Sequence, residues 1–326
     1  MRYNLHLIFY MQKVIVMLSV VIPAFNEEKM IPVAAERIGW VLSDAGIPCE
    51  LIFVDDGSTD GSWEAVRSLS APEGSDIRIR GVHFSRNFGK EAAMFAGLRA
   101  AVGDAVAVLD CDLQHPPEKL PEMYALWEEG YEVIEGIKSD RGRESGGHRA
   151  FSRLFYRLIS SGSGFDMSDS SDFKLLDRKV VDTLNSLPEK NAFFRALSFW
   201  SGYRRTSVTY AVAQRTIGRS KWNTCSLVRY AINNITSFSA APLHIITWLG
   251  ALTFLVSLVM GVIALVHKIS GSAVEGFTTV ILLILLMGSL IMLSLGIIGI
   301  YISKIYDEVK GRPRYVVSET FGEEIK

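Results

Sequence analysis

Carboxylates that follow a short apolar run are the residues of this chain best suited to chemistry. Asp110 and Asp112 come directly after the run 105–109 (AVAVL), and Gln114 lies two residues further on. Where the chain turns, two such carboxylates and an amide oxygen can face one cation. Hard divalent cations such as Mg²⁺ and Mn²⁺ prefer oxygen ligands and usually share them with substrate phosphates. Taken alone the tripeptide is common, and a simple turn ahead of two prolines is its more frequent explanation.

Polar residues also follow the other apolar runs. Glu27 comes after 18–22 (LSVVI), Asp56 after 50–54 (ELIFV), and the stretch 85–87 (SRN) after 77–84. In an open parallel sheet, ligands bind in the crevice outside the carboxyl ends of the strands. We therefore expect these residues to converge with Asp110 and Asp112 on one crevice.

The elements that must position these residues alternate between strand and helix. Runs of β-branched residues closed by turn residues predict strands, and apolar positions at helical spacing predict helices. Strands are predicted at 18–22, 50–54, 77–84, 105–109 and 132–136, and helices at 28–45, 60–69, 90–101 and 120–129. Such repeats with short connections predict an α/β domain with a mostly parallel, Rossmann-like sheet. The absence of a GxGxxG or GxxxxGK[ST] motif disfavours a dinucleotide oxidoreductase and a P-loop nucleotidase.

Bulk composition excludes little but is informative. The 326 residues carry a net charge of −1, which gives no indication of nucleic-acid binding. Single cores stop growing near about 250–300 residues, so the chain has room for one large domain and a further segment. The cysteines are Cys49, Cys111 and Cys225, without metal-binding spacing, and we expect reduced thiols in a cytoplasmic domain.

Two long uncharged segments near the C-terminus predict membrane spans. Residues 245–266 and 277–303 each exceed the roughly 20 apolar residues that a membrane-spanning helix needs. Lys and Arg residues precede the first segment and follow the second, whereas the connecting loop 267–276 carries only Lys268. This bias predicts a two-helix hairpin in the inner membrane with both ends and the α/β domain in the cytoplasm.

The remaining segments complete the predicted organisation. Residues 1–16 lack a cleavage site and are expected to be an N-terminal extension, or to precede a true start at Met11 or Met17, rather than to form a signal peptide. Residues 148–161 place arginines on one helical face and predict a basic amphipathic helix at the membrane surface, although an ordinary surface helix is also open. The predicted boundaries are 17–222 for the catalytic domain, 223–242 for an interfacial segment, 243–303 for the spans and 304–326 for a cytoplasmic tail.

Eight segments in order carry a family resemblance. They are 20–28 (VVIPAFNEE), 54–60 (VDDGSTD), 85–91 (SRNFGKE), 110–118 (DCDLQHPPE), 171–175 (SDFKL), 217–222 (IGRSKW), 235–239 (ITSFS) and 311–315 (GRPRY). Together they resemble family 2 glycosyltransferases of the GT-A fold. The set is most similar to the polyprenyl-phosphate branch, which includes bactoprenol glucosyltransferase, dolichol-phosphate mannose synthase and undecaprenyl-phosphate aminoarabinose transferase.

The resemblance implies a role for each matched residue. Nucleotide-sugar contacts fall on Pro23, Phe25, Glu27, Val54, Asp56, Asp110, Cys111 and Asp112; catalytic roles fall on Asp112, Asp172, Arg215 and Lys221. Asp110, Asp112 and Gln114 would bind Mg²⁺ or Mn²⁺, and Lys138, Arg141 and Arg149 the lipid phosphate. The side chain of Cys111 is expected to point into the sheet. Asp172 would position or activate the acceptor.

The resemblance also implies the reaction and leaves alternatives open. A nucleotide-sugar, with UDP-glucose favoured, would donate its sugar with inversion to a polyprenyl phosphate, and the enzyme would be a homo-tetramer on the lipid bilayer. The sugar could instead be an N-acetylhexosamine, mannose or aminoarabinose. No QxxRW segment is present, which disfavours a processive synthase, and a catalytically silent nucleotide-sugar sensor remains the alternative of another class. Lys174 and Arg219 depart from the family pattern, which puts a phosphate role of Lys174 in doubt.

Overall fold

A computed structural model describes residues 17–72, 75–139, 171–189, 193–211, 241–270 and 276–322. The described part divides into two units, an α/β domain that includes the segment from Pro313 onward and a pair of long helices. Several predictions lie outside the described residues: the extension 1–16, the amphipathic segments 148–161 and 223–240, and the side chains of Arg141, Arg149, Arg215 and Lys221.

The α/β domain contains all the strands of the described residues and six of their α-helices. Its strands are β1 Leu18–Ala24, β2 Cys49–Asp55, β3 Ile77–Phe84, β4 Ala105–Val108, β5 Val133–Lys138, β6 Lys174–Asp177, β7 Arg205–Tyr210 and β8 Val317–Phe321. Its helices are α1 Met30–Asp44, α2 Ser62–Ser68, α3 Lys90–Ala100, α4 Leu120–Glu128, α5 Arg178–Ser186 and α6 Phe194–Trp200. The five strands and four helices predicted from the sequence are present within a few residues of their expected bounds.

The strands form one mixed sheet in the order β7-β5-β6-β4-β1-β2-β3-β8. The four central strands β4, β1, β2 and β3 are parallel neighbours, as predicted. β6 is antiparallel to β4 and β5 and lies between them, and β8 is antiparallel to β3 at the far edge. The parallel centre brings the loops after β1, β2, β3 and β4 to one edge of the sheet.

Burial explains why the central strands are continuous apolar runs. Every residue of β1 and β2 is buried, because helices cover both faces of the sheet. α3 approaches β1 so closely that a Cβ on Gly97 would lie 2.1 Å from Val21 Cγ1. Only glycine fits this contact, and it places the N-terminus of α3, with Lys90, beside the carboxyl end of the sheet.

The C-terminal segment, predicted as a tail, returns to the sheet. Residues of β8 pair with β3, and Trp63 Nε1 donates a hydrogen bond of 2.8 Å to Glu319 Oε2. The ring of Tyr315 stacks on Phe84 with centroids 4.9 Å apart, and Ser85 N donates to Val316 O at 3.0 Å. The segment therefore forms part of the α/β domain and packs directly against the end of β3.

In the described residues, the helices of the second unit are α7 (Ala241–Ile269) and α8 (Phe277–Val309). Pro242–Ile263 and Leu283–Val309 have mean hydropathies of 2.2 and 2.6, and no residue of either apolar window is buried. Both helices are long and apolar enough to cross a membrane. Large apolar side chains such as Trp248, 76% exposed, cover their surface, unlike those of a core helix in a soluble protein.

Candidate active site

The loops after β1 and β2 are tied together by short polar side chains. Asn26, with a positive φ of 54°, accepts a hydrogen bond from Thr59 N at 2.9 Å, and its own N–H donates to Ser58 Oγ at 2.8 Å. Glu27 N donates to Ser62 Oγ at 2.8 Å. Asparagine tolerates the left-handed conformation better than most residues, so the sequence NEE is suited to this turn. These bonds fix two of the predicted crevice walls relative to each other.

Asp56 joins the loop after β2 to the loop after β3. Its carboxylate accepts hydrogen bonds from Phe88 N at 2.7 Å and from Gly89 N at 2.9 Å. Burial raises the pKa of Asp56 to about 6, the two backbone N–H groups oppose the rise, and the charge of Asp55 adds to it. A buried carboxylate whose pKa is raised toward neutral pH is typical of functional sites rather than of surface turns.

The segment 110–114 turns sharply after β4. Leu113 has a positive φ of 54°, and its N–H donates to Asp110 O at 3.3 Å. Asp112 Oδ1 accepts from Gln114 N at 3.1 Å, and Asp110, Asp112 and Gln114 are all partly exposed. Cys111 is 3% exposed and belongs to the hydrophobic core, as expected, so its side chain lies inside the sheet. The turn thus presents oxygen atoms outward and a thiol inward.

Lys90 links this turn to a second carboxylate. Its ammonium lies 2.7 Å from Asp110 Oδ1 and 2.8 Å from Asp172 Oδ2. Although burial opposes the charge, the two carboxylates raise the pKa of Lys90 above its usual value. Lys90 is therefore charged at neutral pH and holds Asp110 and Asp172 within one cluster.

Asp172 is the most strongly paired acid of the cluster. Arg195 donates to it from Nε at 2.7 Å and from Nη2 at 2.9 Å, a bidentate pair, and Lys90 adds a third bond. Although burial opposes ionisation, the charges of Arg195 and Lys90 hold the pKa of Asp172 well below its usual value. A carboxylate this acidic is a poor general base, and its contacts are those of a residue that orients two cations.

Glu91 connects the two helices that carry these cations. Glu91 Oε2 accepts a hydrogen bond of 2.9 Å from Phe194 N, in the first turn of α6. Burial, together with the negative charge of Asp172, raises the pKa of Glu91 above its usual value. The bond ties the N-terminus of α3, with Lys90, to the N-terminus of α6, with Arg195.

An aromatic group lines the other side of Asp110. His115 stacks on Phe173 with centroids 5.3 Å apart, and Tyr210 packs edge-on against both rings. His115 Nδ1 lies 3.9 Å from Asp110 Oδ2, and burial lowers the pKa of His115. Within the described residues, His115 Nδ1 and Tyr210 Oη are buried polar atoms without a hydrogen-bond partner. Both atoms are therefore able to form a hydrogen bond with a ligand beside Asp110.

The oxygen atoms of the turn fit a divalent cation that shares its ligands with a substrate. In the described part of the chain, no three His, Cys, Asp or Glu side chains lie close enough to hold a metal ion together. Asp110 and Asp112 each offer a carboxylate and Gln114 offers an amide oxygen, and all three are hard donors. Mg²⁺ and Mn²⁺ sites on substrate phosphates characteristically use one or two carboxylates. The donor set thus fits a metal completed by a diphosphate.

The other predicted residues lie where their strands place them. Pro23 and Val54 are buried in β1 and β2, whereas Phe25 is 37% exposed after β1. Lys138 is exposed at the end of β5. The phosphate role doubted for Lys174 is not compatible with its position, because the side chain is fully buried and pairs with Glu135 at 2.9 Å.

Lys90, Arg195, His115 and Tyr210 were not predicted as site residues. Lys90 and His115 lie inside segments that carry the family resemblance, so their position in those motifs could have identified them as site residues. Arg195 reaches Asp172 from α6, a short helix with no motif, and only the fold brings the two together.

Comparison with known proteins gives the class of this site. Residues 19–184 match the sequence profile of Glycosyl transferase family 2. An uncharacterized glycosyltransferase of Bacillus subtilis is 38% identical over 94% of this chain and 95% of its own. The prophage-derived bactoprenol glucosyl transferase of Shigella flexneri is 34% identical over 93% of this chain and 98% of its own.

The chain therefore belongs to glycosyl transferase family 2. Glucosyl-3-phosphoglycerate synthase from Mycobacterium tuberculosis, in complex with phosphoglyceric acid, shares the fold with a TM-score of 0.50 and 22% identity, over 69% of this chain and 80% of that one. The predicted GT-A fold, family and similarity to the bactoprenol glucosyltransferase branch are confirmed.

A pH-dependent stability follows from Asp56. Because the folded chain binds the Asp56 proton more tightly than the unfolded one, the contribution of Asp56 to stability is full below pH 3.8 and is lost as the pH rises through about 6, where Asp56 becomes charged. We expect Asp56→Asn to be more stable than the wild type by about 1–3 kcal/mol at pH 7.5 and by little at pH 4. Thermal unfolding of the detergent-solubilised protein at both values measures this.

The exposed Asp76, changed to asparagine, is the matched control and should leave the pH dependence unaltered. A destabilised Asp56→Asn protein at pH 7.5 would show instead that the bonds from Phe88 and Gly89 outweigh the cost of burying the charge.

Proposed function

We propose that this glycosyltransferase moves glucose from UDP-glucose to a polyprenyl phosphate, with inversion, at the cytoplasmic face of a membrane. The observation that carries the proposal is similarity over nearly the whole chain, long helices included, to proteins named as bactoprenol glucosyl transferases. The site supports it, because a turn of hard oxygen donors lies beside two cations and a pair of buried polar atoms.

The donor occupies the crevice formed by the loops after β1, β2 and β4. In this proposal Pro23, Phe25, Glu27, Val54 and Asp56 surround the nucleotide. Asp110, Asp112 and Gln114 hold Mg²⁺ or Mn²⁺, which when bound neutralises charge on the diphosphate leaving group. Lys90 and Arg195, both within bonding distance of Asp172, provide fixed positive charge beside the same leaving group. Arg215 and Lys221 are assigned to donor or acceptor phosphates.

The acceptor needs no strong base. A phosphate monoester oxygen is already anionic at neutral pH, so the attack on the anomeric carbon does not wait for a proton to be removed. Asp172 accordingly orients Lys90 and Arg195 instead of taking a proton. Displacement in line with the departing diphosphate turns an α-linked donor into a β-linked lipid product. Lys138, Arg141 and Arg149 are assigned to the lipid phosphate.

Two observations support a membrane hairpin. The described apolar side chains of α7 and α8 are exposed along helices of spanning length, and such a surface needs an apolar environment. The α/β domain precedes α7, and β8, which follows α8, pairs with β3 of the same sheet. A chain that returns to the sheet it left must cross a membrane an even number of times. This proposal includes the multi-pass topology and the homo-tetramer. It also includes the domain boundaries 17–222, 223–242, 243–303 and 304–326.

A donor screen tests the proposal. Purified protein is incubated with Mg²⁺ or Mn²⁺, undecaprenyl phosphate and one of UDP-glucose, UDP-N-acetylglucosamine, UDP-aminoarabinose or GDP-mannose, and the lipid product is identified by mass. We expect a hexose adduct with UDP-glucose. An adduct with another donor would replace the sugar but retain the reaction. Binding of a nucleotide-sugar without any adduct would favour the sensor alternative and contradict the proposed reaction.

A further inference from the structure

The segment that follows α8 contacts the helices of the site through Arg314. Its Nε donates to Glu189 O and its Nη2 to Leu187 O, both at 2.6 Å, just beyond the C-terminus of α5. The guanidinium also lies over the ring of Phe95, 4.6 Å from the centroid. One side chain thus joins the connection that leads to α6 with the middle of α3.

The contact with Phe95 continues to the charged cluster. Phe95 packs edge-on against Phe194, with centroids 6.4 Å apart, and Phe194 N donates to Glu91 at 2.9 Å. The next residue, Arg195, forms the bidentate pair with Asp172. A continuous series of contacts therefore runs from Arg314 through the rings of Phe95 and Phe194 to Arg195 and Asp172.

We propose that Arg314 is a positioning residue that sets the placement of Arg195 against Asp172, and hence the rate of transfer. The part concerning rate rests on the proposed function; the part concerning placement does not. Arginine suits this position because a planar fork can donate to two carbonyl oxygens and cover a ring at once, which lysine cannot do. No residue of the 311–315 motif is assigned to the donor, the metal or the acceptor.

The expected cost is kinetic rather than structural. Arg314 is only partly buried and Glu189 is exposed, so water can replace the lost hydrogen bonds when the side chain is shortened. A small misplacement of a site residue from a distance, in contrast, can lower a rate by up to about 100-fold. We therefore expect Arg314→Gln to lower kcat about 10- to 100-fold, with the donor KM and the melting temperature nearly unchanged.

The experiment compares Arg314→Gln and Arg314→Lys with Arg312→Gln, which removes the same charge from an exposed position two residues away. Hydrogen exchange of the full-length protein, without substrate, is followed by mass spectrometry over 187–200. We expect this segment to exchange faster in both Arg314 variants than in the wild type, and at the wild-type rate in Arg312→Gln. Equal exchange in the Arg314 and Arg312 variants would overturn the proposal.

A double-mutant cycle separates positioning from a general structural role. If Arg314 acts through Arg195, Arg314→Gln combined with Arg195→Gln should be no slower than Arg195→Gln alone. If the fold-losses in kcat of the two single variants multiply in the double variant, the proposal is overturned. Should the wild-type protein transfer no sugar to any acceptor, the proposed function fails, whereas the exchange measurement still decides whether Arg314 holds α6.

Discussion

We expect Asp112→Ala to lower the rate of sugar transfer by about a thousandfold while the protein stays folded. Asp112 is partly exposed at a turn, so water can replace the hydrogen bond that it accepts from Gln114 N. A metal ion on a leaving group stabilises the transition state by several kcal/mol, and each 1.4 kcal/mol is a factor of ten in rate. Initial rates at saturating donor and Mn²⁺ binding followed by electron paramagnetic resonance, with UDP present, measure the two effects together.

The matched control is Glu122→Gln, which removes a carboxylate from the exposed face of α4 where it pairs only with Lys119 in the described structure. It should transfer sugar and bind Mn²⁺ as the wild type does. An Asp112→Ala protein as active as the wild type would remove the metal role proposed for the turn 110–114.

We expect Asp172→Asn to have the second large effect, on both stability and rate. The substitution leaves the guanidinium of Arg195 and the ammonium of Lys90 without their shared anion, although Lys90 keeps Asp110. Removing one partner of a buried ion pair costs about 3–5 kcal/mol. We expect a loss near the lower end of that range in urea unfolding, and a kcat reduced at least about 100-fold because both cations lose their orientation.

The pH profile distinguishes orientation from base catalysis. Because the pKa of Asp172 lies well below its usual value, the acid limb of the kcat profile belongs to other groups and should still be present in Asp172→Asn. Asp172→Asn combined with Arg195→Gln should recover part of the lost stability, since the guanidinium that lost the Asp172 carboxylate is then absent as well. Disappearance of an acid limb in Asp172→Asn would establish that Asp172 takes a proton.

The central sheet and the crevice were predictable because their signals are local. β1, β2 and β4 are short apolar runs, each closed by a turn, and parallel pairing then brings Asp56, Asp110 and Asp112 to one edge. The positions of Asp110 and Asp112 needed only the rule that ligands bind at the carboxyl ends of strands. Even the inward direction of Cys111 follows from the alternation of a strand that continues into the turn.

The remaining part depends on pairings between distant residues, for which a single sequence carries no periodic signal. β6 has four residues and lies antiparallel within a sheet otherwise predicted as parallel. β8 has an exposed, polar sequence (VSETF) that resembles a tail. Arg195 contacts Asp172 only because α6 folds back over α3, so its role in the cluster could not be predicted before the fold was known.

The position of β8 has a consequence for how the protein is made. Chains are synthesised from the N-terminus, so β8 at Val317–Phe321 emerges after both long helices, whereas its partner β3 ends at Phe84. Throughout the synthesis of α7 and α8, β3 is an open edge strand, with unpaired backbone groups able to recruit another chain. Completion of the sheet that carries the candidate site therefore waits until Val317–Phe321 has been synthesised. A truncation that spares every residue of the crevice would still leave this edge open, and aggregation is the failure to which such a chain is most exposed.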